Sequence, residues 1–87
     1  MQGRKIIGWN VRKFRVGKKL TVEELAGRVG TAMSHLASLE RGEVNAGVDL
    51  LERIAKRLGV KLADLTIEPD PGEKPPRPLQ GGRRARK

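Results

Sequence analysis

The sequence predicts an all-α fold, with a compact five-helix domain over residues 1–67 and a disordered Pro/Gly/Arg-rich tail over 68–87. Three observations predict it. Up to Leu65 the apolar residues recur at helical spacing, and no stretch sustains the alternation of a strand. Gly17, Gly30, Gly42 and Gly59 each follow such a stretch, where helices commonly stop. All five prolines lie between Pro69 and Pro78, and after Ile67 the apolar residues are only Leu79 and Ala85. That last segment cannot bury enough surface to offset its chain entropy.

Each element has its own signature. The first helix is expected over Ile6–Val16, with Ile7, Val11 and Phe14 as its inner stripe and Gly17 as its stop. Thr21 and Glu24 have capping-box spacing, so Thr21 should open the second helix. Val22, Leu25, Ala26 and Val29 form that helix's apolar side, and Gly30 supplies a positive-φ turn. Thr31 is expected to cap the third helix, which turns Leu36 and Leu39 inward and stops at Gly42. The fourth helix, Val48 to Leu58, has a wide apolar face of Leu50, Leu51, Ile54, Ala55 and Leu58. Leu62 to Leu65 forms a short fifth helix.

Charge narrows the function. The chain holds 19 Lys and Arg against 10 Asp and Glu, a net +9. Six of those net charges belong to residues 1–67, so the basic character is not only that of the tail. A small protein this basic is expected to meet a polyanion. With no cysteine, no tyrosine, one histidine and no paired acid cluster, no enzyme, metal site or cofactor is expected. No apolar run approaches the ~20 residues of a membrane span, and no signal core opens the chain, so a cytoplasmic protein without a membrane role is expected.

The second helix, a turn at Gly30 and the third helix make a helix-turn-helix arrangement at about residues 21–41. The residues resemble the Cro/C1-type (XRE-like) helix-turn-helix family, which includes phage repressors. The match rests on Leu20, Glu23-Glu24-Leu25-Ala26, Gly30, Leu36, Leu39-Glu40-Arg41-Gly42, Leu51, Ile54-Ala55 and Leu58-Gly59-Val60, and it covers about residues 7–65. The resemblance implies a lambda-repressor-like five-helix fold, a bacterial, nucleoid-bound transcriptional regulator and double-stranded DNA as partner. It implies a homodimer on an inverted-repeat operator, with the third helix in the major groove. It also implies an ion pair between Arg15 and Glu40.

By that resemblance the base-contacting positions are Ala32, Met33, Ser34, Ala37 and Ser38, and the phosphate-contacting ones are Thr21, Thr31, Arg41 and Asn45. This chain departs from the pattern in two ways. Between Thr31 and Glu40 there is no Arg, Lys, Gln or Asn, the side chains that discriminate bases best. The first residue of the second helix, often Gln in the family, is Val22. Serine hydroxyls can still bond base edges, and Ala or Met can touch a thymine methyl. DNA shape, or the RRARK tail in a minor groove, would add specificity. The other reading is a protein-interaction module, antiactivator or antitoxin-like, in which the Met33–Ala37 face meets a protein partner.

Overall fold

Val11, on the inner face of the first helix, is fully buried and marks where the helices converge. The computed structural model describes residues 2–70, 72 and 73. They form α1 (Gly3–Gly17), α2 (Val22–Val29), α3 (Met33–Glu40), α4 (Val48–Leu58) and a closing 3-10 helix (Leu62–Thr66). The described residues contain no strand. α1 packs on α3, α4 and the 3-10 helix, while α2 packs on α3 and α4. Leu25, Leu36, Leu39, Ile54, Leu58 and Leu65 join Val11 with almost no exposed surface. Each such side chain contributes about 1.5–3 kcal/mol by leaving water. Ile7, Phe14, Leu20 and Val22 pack at the edge of this core.

Several local expectations change. α1 begins at Gly3 rather than Ile6, with the Ile6 N–H bonded to Gln2 O at 2.9 Å. Its first residues lie outside the apolar stripe, so periodicity could not place them. α1 does stop at Gly17, but the left-handed residue that follows is Lys19, at φ 59°. The Leu20 N–H then bonds Arg15 O at 3.1 Å. The fifth helix is a 3-10 helix, held at its start by the Lys61 N–H donating to Asp64 Oδ2 at 2.9 Å. The tail expected from residue 68 lies outside the described residues after Glu73. Before that, contacts with α1 run past residue 67, because Lys13 Nζ is 3.1 Å from Glu73 Oε2.

Three tertiary contacts lock the helices. Gly8 lies where α1 crosses the end of α3. A Cβ there would stand 2.6 Å from Glu40 O and closer still to Leu39 O. Only glycine lets the two backbones approach so closely. Next, buried Asn10 donates through Nδ2 to Leu65 O at 2.9 Å and Ile67 O at 2.8 Å. That bond pair ties the end of the 3-10 helix to α1. Lastly, Arg53 Nε of α4 donates to Val29 O at 3.0 Å, satisfying a carbonyl at the end of α2.

The Arg15–Glu40 pair spans α1 and α3. Arg15 Nε and Nη2 donate to Glu40 Oε2 and Oε1 at 2.6 and 2.9 Å, and Nη1 donates to Leu20 O at 2.6 Å. Their side chains are 4% and 6% exposed, so a lone survivor would be a nearly buried, unpaired charge.

Two stability predictions follow from these contacts. Gly8→Ala should destabilise by about 1–3 kcal/mol through overpacking, despite the better helix propensity of alanine. A melting temperature equal to or above that of the native chain would contradict the close approach. Glu40→Ala should cost about 3–5 kcal/mol, and the double variant Arg15→Met with Glu40→Leu should recover much of that loss. Urea denaturation of the single and double variants measures both.

Candidate nucleic-acid interface

α2 starts at a complete capping box. Glu24 N–H donates to Thr21 Oγ1 at 3.1 Å, and Thr21 N–H donates to Glu24 Oε1 at 2.8 Å. The Thr21 hydroxyl acts here as an acceptor, so its own proton can still be donated outward. α2 ends at Gly30, in the left-handed region at φ 77°. The Thr31 N–H folds back to Ala26 O at 3.0 Å, closing the helix end. Ala26 is 2% exposed, which lets α2 and α3 pack closely.

Thr31 does not cap α3. The N-cap position is Ala32, and no side chain there accepts a hydrogen bond. The backbone of Thr31 is already used to finish α2. α3 therefore begins with amides that no side chain caps, a feature that favours an outside anion.

The five positions expected to meet bases divide in two. Ala32, Met33 and Ser34 are exposed at the start of α3, with Met33 at 54%. Ala37 and Ser38 are half-buried. Ser38 Oγ also accepts from Arg41 Nη2 at 3.2 Å, while Arg41 Nε donates to Glu43 Oε2 at 3.0 Å. Arg41 is thus exposed but shared between a hydroxyl and a carboxylate. Surface pairs of this kind contribute little, so a stronger anion can take Arg41 over. Asn45 is exposed and borders a shallow depression with Gln2, Gly3, Arg4 and Ile7. The loop after α3 and the start of α1 therefore share one edge of the molecule.

Some participants had no sequence signal. Glu43 beside Arg41 is one, and Lys13 paired with Glu73 is another. Trp9 is half-buried, and its indole N–H is buried without a hydrogen bond. It lies near Glu73, whose carboxyl is lowered chiefly by its bond to Lys13 and only slightly by the indole. Among the described residues, no three or more His, Cys, Asp or Glu gather as a metal site. Nor does any described helix have the length and apolarity to cross a membrane.

A helix-turn-helix family model matches residues 11–65. The chain belongs to the Cro/C1-type helix-turn-helix family. An uncharacterized HTH-type transcriptional regulator of Sinorhizobium fredii, y4dJ, is 40% identical over 70 residues, or 80% of this chain and 91% of that one. The crystal structure of a hypothetical transcription factor from Neisseria superposes with a TM-score of 0.75 at 32% identity, covering 78% of each chain. In the curated Neisseria meningitidis sequence the chain spans 62% of the length, at 33% identity. SinR, the master regulator for biofilm formation, solved in complex with DNA, superposes at a TM-score of 0.65 with 33% identity. That match covers 68% of this chain and 95% of the SinR chain. This Cro/C1-type chain is thus a member of a transcriptional-regulator family with its helix-turn-helix frame intact.

The charge pairs beside this frame set a pH dependence. The hydrogen bond from Arg41 holds the Glu43 carboxyl below its ordinary value, and Lys13 does the same for Glu73. Carboxyls lowered on folding stabilise above their unfolded pKa and lose that contribution as pH falls through the folded one. Stability should therefore drop on acidification below the ordinary carboxylate range. Glu43→Gln with Glu73→Gln should flatten that drop without abolishing it. An unchanged acid profile of denaturant midpoints would contradict both pairs.

Proposed function

We propose that this protein is a sequence-specific DNA-binding transcriptional regulator that works as a homodimer on an inverted-repeat operator. The observation that carries this reading is the placement of α3. Its Ala32–Ser34 end is exposed, on a frame that Arg15, Glu40 and Gly8 hold rigid. The fold is also that of SinR, a protein solved on DNA.

In this reading α3 enters the major groove. Ala32, Met33, Ser34, Ala37 and Ser38 face base edges, with Ser34 donating or accepting and Met33 against a thymine methyl. Thr21, Thr31, Arg41 and Asn45 hold phosphates. Arg41 exchanges Glu43 for phosphate as it binds. Half-buried Val22 serves the core, so the start of α2 contributes its Thr21 hydroxyl and helix end rather than a long amide side chain. Because readers are short, much specificity comes from DNA shape and backbone positioning. The chain acts in the cytoplasm on the nucleoid, by binding rather than catalysis. Val60, Leu62 and Ile67 are the candidate dimer contact, with Ile67 60% exposed, whereas Leu65 beside them is fully buried in the core and serves the fold.

A second reading rests on the same helix. With Met33 exposed and no long donor between Thr31 and Glu40, this face could bind a protein instead. Selection of bound sequences from random DNA separates the two, and an enriched inverted repeat is expected. Ser34→Asp should then weaken binding by about 1–3 kcal/mol, the value of one good base contact. Arg41→Ala should make the dependence of log affinity on log salt shallower by about 1. If no sequence is enriched and Met33→Asp releases a stoichiometric protein, the DNA reading is wrong.

A further inference from the structure

α2 and α4 end near one another, and their last turns enclose an open groove of about 480 Å³. Arg28 and Val29 of α2 and Arg53, Lys56 and Arg57 of α4 line it. No carboxylate lines the groove, and none lies within ion-pair distance of Arg28, Lys56 or Arg57 among the described residues. This contrasts with Arg15, Lys13 and Arg41, each of which has a carboxylate partner. One basic residue in a last turn answers the helix dipole. Here two helix ends and a mid-helix arginine bring four cations to one concavity.

We propose that this groove docks an acidic segment of a partner protein. Arg53, Lys56 and Arg57 stand at i, i+3 and i+4, one face of one helix turn, which matches carboxylates spaced the same way on a partner helix. Arg53 spends only its Nε on Val29 O and keeps its other donors for a ligand. Buried Val29 also lines the groove, and lysine and arginine carry aliphatic stems, a lining that suits the methylenes of glutamate better than a sugar-phosphate chain. Position also favours protein over DNA. None of the residues that line the groove belongs to α3 or to the positions expected to meet bases or phosphates. The rest of this chain does not supply the occupant: after Glu73 its charged residues are Lys74, Arg77, Arg83, Arg84, Arg86 and Lys87, all basic.

The test uses the full chain and two probes, a labelled helical peptide with glutamates at i, i+3 and i+4 and a labelled random-sequence DNA duplex. Lys56 and Arg57 are exposed, so K56Q/R57Q should fold normally, and R12Q/K61Q removes the same charge elsewhere. Anisotropy should show the peptide bound about tenfold more weakly by K56Q/R57Q than by R12Q/K61Q, with both variants alike on DNA. Equal losses of peptide in the two variants would mean diffuse charge attraction and overturn the proposal. A selective loss of DNA affinity in K56Q/R57Q, with a shallower salt slope, would assign the groove to DNA backbone instead. Reduced self-association of K56Q/R57Q in sedimentation would assign it to a second copy. Failure of the native chain to bind the peptide at low salt would also overturn it.

Discussion

The fold depends on one guanidinium. Arg15 spends three donors on two distant pieces of chain, the Glu40 carboxylate at the end of α3 and the Leu20 carbonyl just before α2. It therefore fixes where α2 begins and where α3 ends, which is to say both limits of the helix-turn-helix. The net stabilisation from such a buried pair is small, because removing two charges from water offsets most of their attraction. Its value is geometric. A bidentate fork tolerates one orientation, so α3 has one direction in which to present its exposed end. The apolar core supplies the driving force, and Arg15 selects among the ways that core could pack.

The surface charges are organised differently on different sides. Beside α3, Arg41 is balanced by Glu43 and leans on Ser38. Along α1, Lys13 is balanced by Glu73. Around the groove between α2 and α4, no described carboxylate forms an ion pair with the cations. Some cations are thus matched by an acidic neighbour and others are not. Long-range attraction toward a polyanion comes from the whole charge, while close contact depends on which cations must first give up a partner.

What could be read from the sequence was local. The Thr21–Glu24 capping box, the left-handed Gly30, the stop at Gly59 and the bounds of α4 all follow from signals within a few residues of one another. The apolar faces of α2 and α4 were equally legible, because their periodicity is strong. Four features were not. Gly8 looks like any helical glycine until α3 is laid across it. Asn10 finds its partners more than fifty residues away. Ala32 replaces Thr31 at the start of α3, because Thr31 still belongs to the turn that closes α2, where its N–H bonds Ala26 O. Lys19 takes a conformation usually left to glycine, since Arg15 anchors Leu20 on both its N–H and its carbonyl. In the candidate interface, Ala32, Met33, Ser34, Arg41 and Asn45 are exposed where their family positions put them, whereas Ala37 and Ser38 are half-buried. The Glu43 and Ser38 contacts of Arg41 needed coordinates, because exposed side chains pair according to loop shape.

The contact at Gly8 has a mechanical meaning. Where helices meet through side chains, they can shift by small rotamer changes, and such joints act as soft hinges. At Gly8 the backbone of α1 lies directly on the carbonyls of Leu39 and Glu40, with no side chain between them to rotate. That crossing has no slack. A shift of α1 at this point must therefore carry the end of α3 with it, because no side chain stands between the two backbones to absorb it.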